Sequence, residues 1–198
     1  MNHVRRAWWA AGCAIAVAIG GCRSAPTRIY ALQPAAPASR IDVYHAPALR
    51  VDTLSVPAEW DRIEILKPLD AGALRISEFD HWAAPLGQMA RQTLSEDLDQ
   101  RLPSGSVIYP RLTKPGGALG VNVDILDFSI VASQAVMRAS WVIVPSGDAR
   151  AARRSSAELH SLVSSEEAAA AVHAWSDLMG QLADRIAAAA ASFDVPDS

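Results

Sequence analysis

The first 22 residues set the terms for the fold of everything that follows. Arg5 and Arg6 give the chain a positive start. Ala7 to Ile19 is then an uncharged, mostly apolar run of thirteen residues, closed by Gly20-Gly21-Cys22. This is the layout of a secretory signal peptide, and it is too short to cross a bilayer as a lasting helix. Residues 1–21 are therefore expected to be removed, so the fold has to be found in residues 22–198.

Ile19-Gly20-Gly21-Cys22 resembles a bacterial lipobox, with a branched aliphatic residue three positions before the cysteine and two small residues between. Small residues let a peptidase approach the backbone, and a free thiol can take a diacylglyceryl group before cleavage. Cys13 is a poorer acceptor, because only six residues separate it from Arg6. A twin-arginine reading of Arg5-Arg6 fits poorly with Val4 and the tryptophans that follow. Cys22 is thus the expected lipidation site, carrying an S-diacylglyceryl and an N-acyl group, and no other cofactor is expected. At ~0.8 kcal/mol per buried CH₂, several acyl chains make such an anchor effectively permanent. The next residue is Arg23 rather than the aspartate that commonly retains lipoproteins at the inner membrane. The expected residence is therefore the outer membrane, facing the periplasm.

Cys13 and Cys22 are the two cysteines of the sequence. The folded part then has no disulfide and must hold together by packing. Loss of Arg5 and Arg6 takes the formal charge from −3 to −5. Without a basic cluster, such a protein is a poor nucleic-acid binder.

Residues 22–27 form a leader so short that the domain stays within roughly 20 Å of its membrane at ~3.3–3.6 Å per residue. Residues 28–198 are expected to be a single domain. Thr27 to Leu32 reads as a strand, and residues 34–47, rich in proline and alanine, read as an extended surface connection. Strands are predicted at Ala48–Val56, Arg62–Leu66, Leu74–Ile76 and Ser106–Arg111. Leu86, Ala90, Leu94, Leu98 and Leu102 form an i, i+4 stripe, which predicts a helix over Trp82–Leu102 with Asp80 as its cap. Leu119–Ala132 and Ala135–Val144 predict a long hairpin. Apolar residues on both faces of its first strand suggest a bulge near Asp127. A last strand is expected within Ser155–Val163. Ser164-Ser165-Glu166-Glu167 then reads as a capping box before a long amphipathic helix running to Phe193. The predicted class is mixed α+β, with one mainly antiparallel sheet covered by two long helices.

On these residues the chain resembles the PqiC-like ABC-transport auxiliary lipoproteins. Cys22 followed closely by Arg28-Ile29-Tyr30-Ala31-Leu32 is similar to that family's opening. Val56-Pro57 to Arg62, followed by Leu74 to Leu86 with Phe79, Trp82 and Pro85, is similar to its most distinctive block. Leu94, Leu98, Leu102 and Pro103 continue the match, as do Val121 to Asp124, Phe128 and Trp141. His81 stands where arginine is common, and Ala84 where an acidic residue is usual, which puts any partner contact made by that acidic residue in doubt. The resemblance implies a part in moving lipids or other hydrophobic molecules across the envelope. The lipoprotein would dock a periplasmic MCE-domain protein of an ABC transporter at the outer membrane.

Trp60 lies in a polar turn and is expected on the surface, while Trp141 and Trp175 lie on core-facing stripes. Trp82 is expected in the core, although its block is also a candidate contact surface. Trp60, His81 and Trp82 are thus the candidate partner-binding residues. His45, His81, His160 and His173 lack metal-ligand spacing. No nucleophile elbow or phosphate loop occurs, so a binding role rather than catalysis is expected. Exposed strand edges could pair with an extended partner tail, and head-to-tail contacts could close copies into a ring. The alternative is an envelope-structural or regulatory lipoprotein with an unrelated periplasmic partner.

Overall fold

The computed structural model describes residues 25–68, 73–131, 133–165 and 167–193; Cys22 and Arg23 lie outside them. Ten elements follow one another along the chain: β1 (Arg28–Tyr30), β2 (Leu49–Ser55), β3 (Glu64–Pro68), β4 (Leu74–Trp82), α1 (Leu86–Arg101), β5 (Leu119–Val131), β6 (Gln134–Pro145), a 3₁₀ turn (Ala149–Ala151), β7 (Arg153–Leu162) and α2 (Ala168–Ala191). The mixed α+β class stands, but the strands divide into two sheets rather than one. The smaller has the order β1-β4-β3 and the larger β2-β5-β6-β7. Each sheet acquires one parallel pair, β1 with β4 and β2 with β5, and the remaining pairs are antiparallel.

The β5–β6 hairpin forms as its alternation predicts. Val121, Val123 and Ile125 of β5 and Met137, Ala139, Trp141 and Ile143 of β6 are all buried. The register shifts between Ile125 and Asp127. This extra residue reverses the parity of β5, so that Phe128 is buried while Leu126 is exposed. Apolar residues on both sides of the alternation are thus explained by the bulge.

Three local expectations are corrected. β4 runs on to Trp82, so Asp80 is a strand residue and not a helix cap. α1 begins only at Leu86, with Pro85 at its N-cap. Proline has no side-chain acceptor; instead the Asp61 carboxylate, from the turn before β3, accepts the Gly87 N–H at 3.0 Å. A negative charge there also complements the positive end of the helix. Ser106–Arg111, bounded by Gly105 and interrupted by Pro110, is a loop with a single bridge, Val107 to Leu49. The capping box does not close either. Glu167 is the N-cap of α2 without a side-chain cap bond, and the Ser165 hydroxyl accepts the Glu167 N–H at 3.3 Å. Glu166 lies outside the described residues.

α1 packs on α2 and β2, and α2 packs on β6 and β7. Between the helices runs the extended segment that follows β1. Gln33 donates its N–H to the Ser176 hydroxyl at 3.1 Å, and Ala35 donates to Asp97 Oδ1 at 2.8 Å. Arg101, with only 1% of its side chain exposed, makes the other half of this clamp. Its Nε meets Asp184 at 2.6 Å, and its Nη1 reaches the carbonyls of Ala35 at 3.2 Å and Asp97 at 2.9 Å.

Gly180 of α2 lets the segment come this close. A Cβ there would lie 2.6 Å from the Ala35 Cβ and 3.2 Å from Arg101 Nη2. Glycine to alanine inside a helix normally stabilises by ~1 kcal/mol. Here Gly180→Ala is expected to lower the urea midpoint instead, by an overpacking cost of roughly 1–3 kcal/mol. A raised midpoint would show that the segment is not held against α2.

Asp97 is fully buried, and burial pushes its carboxyl up to about 7, against the lowering pull of the Ala35 N–H and the Arg101 guanidinium. The native state then holds a proton that the unfolded chain has lost above about pH 4. This contribution to stability is complete below that pH and is lost as the pH rises through about 7. Asp97→Asn is expected to flatten the fall in stability across that window, measured by denaturation at successive pH values. An unchanged slope would assign it to other groups.

Candidate docking site

The two segments that carry the family resemblance lie far apart in the chain and meet in the smaller sheet. Arg28 pairs with Asp80, Ile29 with His81 and Tyr30 with Trp82 in parallel register. A bidentate ion pair locks this register. Arg28 Nε and Nη2 lie 2.6 and 3.1 Å from the Asp80 carboxylate, which also accepts from the Ser77 hydroxyl at 2.5 Å. Asp80 is buried, and its carboxylate holds the Arg28 pKa above its ordinary value. Just past the paired ends, Ala83 donates its N–H to the Tyr30 carbonyl at 2.7 Å. The two strands thus leave the sheet side by side.

Where they leave, an open groove of about 860 Å³ begins. Ala31, Leu32, Ala83 and Ala84 form one end of it. The outward side of α1 forms a long wall with Gln88, Met89, Gln92 and Glu96. The loop from Tyr109 to Leu112 forms the other wall. That loop is held in place. Ile108 donates its N–H to the Leu49 carbonyl at 2.8 Å, Arg50 Nη2 donates to the Pro110 carbonyl at 2.7 Å, and the Tyr109 hydroxyl donates to Asp99 at 3.3 Å. Burial, followed by the Asp99 charge, raises the Tyr109 pKa and keeps it a donor. Small residues at one end, apolar Met89 and an exposed Leu112 along the sides, and amides on the rim suit an extended chain laid along the groove. The apolar positions would give contact area, and the amides would satisfy the peptide groups of the occupant.

Of the residues singled out from sequence, Trp82 is in the core as expected, as are Trp141 and Trp175. Trp60 is not on the surface. It is only 6% exposed and lies edge-on to Phe128 at 5.1 Å and to Trp175 at 6.2 Å. The polar neighbours in its turn face outward while its ring turns in, so the indole is not offered to a partner. His81 is half-buried on the outer face of the smaller sheet, in register with Ile29 and Glu64. Trp60 and Trp82 are thus buried, while His81 is partly exposed on the other face of β4 from Trp82. Arg153, the first residue of β7, lies 4.1 Å over the Phe193 ring and donates to the Ser192 carbonyl at 2.9 Å, closing the end of α2. The groove itself has no local signature, since its walls come from four separate segments. Leu112, an apolar residue in a polar loop, is the one hint of it. Among the described residues, no helix is long and apolar enough to cross a membrane, and no group of three or more His, Cys, Asp or Glu is placed to hold a metal ion.

A family model described as the ABC-type transport auxiliary lipoprotein component matches residues 30–187. No curated protein matches the sequence. Two crystal structures are among those that share the fold. One, of an uncharacterized protein, has a TM-score of 0.68 at 17% identity and covers 83% of this chain and 99% of its own. The other is a Xanthomonas campestris protein of the DUF330 family, with a TM-score of 0.58 at 18% identity, covering 80% of this chain and 92% of its own.

Proposed function

The chain belongs to the family of ABC-type transport auxiliary lipoprotein components, and from that premise we propose that it docks the periplasmic MCE-domain protein of an ABC transporter at the outer membrane, in a system that moves lipids or other hydrophobic molecules. Cys22 carries the lipid anchor, Arg23 permits outer-membrane sorting, and residues 28–198 act as a single docking domain. One observation carries the assignment of the contact. The groove opens where β1 and β4 end, so it lies at the opposite end of β1 from the leader that runs back to Cys22. A domain tethered at Cys22 therefore turns its bilayer end one way and its groove the other, into the periplasm. Copies of the chain joining head to tail into a ring would present several such grooves around one partner.

The test is binding of the membrane-extracted protein to the purified periplasmic part of the MCE component. Leu112→Arg places a charge in the groove from an exposed position. Met89→Arg does so from a half-buried position that packs on the core, so its binding is read only after its denaturation midpoint is shown to match the wild type. Each is expected to weaken binding at least about tenfold, the equivalent of ~1.4 kcal/mol. Light scattering of the same preparation reads the ring, and a strict monomer removes it. Failure of the wild type to bind its MCE protein overturns the function. Undiminished binding by both variants, with binding otherwise intact, overturns the groove as the site.

A further inference from the structure

The far end of the smaller sheet has a different chemistry. From Leu74 to Phe79, β4 is exposed at every residue except Ser77, although side chains of a strand alternate between two faces. This stretch of β4 therefore leaves both of its faces open, although Ile65 and Leu66 of the neighbouring β3 are buried. It carries Leu74, Ile76 and Phe79, which are 39%, 51% and 38% exposed. By the alternation of β4, Leu74 and Ile76 lie on one face and Phe79 on the other, which Ile29, in register with His81, shares. Ile29 is 62% and Ile63, just before β3, 52% exposed. Of the charges nearby, Arg28 pairs with Asp80 at 2.6 Å and Arg62 with Glu64 at 2.9 Å, while Arg75 and Glu78 are exposed on β4 itself. A monomeric soluble protein rarely leaves apolar side chains grouped in this way without an occupant.

The register of β1 indicates the occupant. Because β1 runs parallel to β4 with Arg28 opposite Asp80, the leader enters β1 from the side on which β4 begins. Five residues separate Cys22 from Arg28, and five separate Leu74 from Asp80. In an extended chain both intervals span at most ~20 Å. The leader thus cannot hold Arg28 farther from the bilayer than β4 already extends in the same direction. We propose that the exposed Leu74–Phe79 stretch of β4 is a second, non-covalent membrane contact that sets Leu74, Ile76 and Phe79 into the headgroup boundary of the bilayer holding the lipid anchor. The inference rests on the assignment of Cys22 as that anchor. Since the attraction is apolar and Arg75 and Glu78 balance each other in sign, the contact forms on uncharged lipid and depends little on salt. It fixes the orientation of the domain, which a single lipid attachment point alone does not.

After removal of residues 1–21 and acylation of Cys22, the protein has no free thiol, so one introduced cysteine is a unique labelling site. Ile76→Cys, Phe79→Cys and, as a control at the groove end, Leu112→Cys carry an environment-sensitive fluorophore. The lipidated proteins are reconstituted into phosphatidylethanolamine–phosphatidylcholine vesicles containing brominated lipid. Labels at 76 and 79 are expected to be blue-shifted and quenched several-fold more than the label at 112, in low and high salt alike. Flotation with the vesicles but equal, weak quenching at all three positions overturns the β4 contact and leaves the anchor intact. Failure to float at all overturns the anchor and the contact with it. A label at 76 that is shielded only when a periplasmic partner protein is added assigns this stretch of β4 to that partner instead.

Discussion

Arg101→Ala is expected to cost about 3–5 kcal/mol, the range found when one member of a buried ion pair is removed. The substitution takes away more than a charge. Asp184 loses the partner 2.6 Å away, and the Ala35 and Asp97 carbonyls lose their shared donor. Asp97 Oδ2 is already buried without a hydrogen bond among the described residues, so the site has no spare donor to offer. A cavity is also left where a large, fully buried side chain stood. Arg101→Lys keeps the charge but not the planar fork, and should recover only part of the loss. The measurement is urea denaturation followed by circular dichroism. A loss under about 1 kcal/mol, as for an exposed pair, would contradict the clamp.

Trp175→Ala is expected to be about as damaging, roughly 3–5 kcal/mol, because a fully buried tryptophan takes both burial and aromatic contacts with it. Trp175 is 1% exposed and stacks on Phe128 at 4.1 Å, with Trp60 edge-on to both rings. Through these rings α2, β5 and the turn before β3 are joined, so the cluster ties the larger sheet to the smaller one. A second readout is specific to this arrangement. Uncovering Trp60 should shift the remaining tryptophan emission to the red in the folded variant. An unshifted emission with a small stability loss would show that the two sheets are held together elsewhere.

The sequence foretells the parts of this fold that depend on near neighbours. The Leu86-to-Leu102 stripe and the β5–β6 alternation each bury a face whose period is visible locally, and the bulge announces itself by breaking that period. The parallel pairings are different. β1 finds β4 and β2 finds β5 across long loops, and nothing within a short strand names its partner. Division into two sheets was therefore not legible. β4 reads as only Leu74–Ile76 because its second half, Ser77 to Trp82, buries a polar Asp80 beside Trp82 and shows no apolar alternation of its own. Trp60 and Asp61 sit in a polar turn, but their ring and carboxylate are used by Phe128, Trp175 and the start of α1. Arg101 looks like an ordinary basic residue near a helix end, and only the crossing segment at Ala35 makes it a clamp. The groove shares this character, since four segments must fold before it exists.

The central claim is that the domain has a membrane end and a partner end, separated along β1 and β4. Photo-crosslinking in living cells tests it most directly, with a benzophenone amino acid placed singly at Leu112 in the groove or at Ile76 on β4. The account predicts an adduct with the MCE-domain protein from position 112 and none from position 76. An MCE adduct from position 76, with none from position 112, would contradict it.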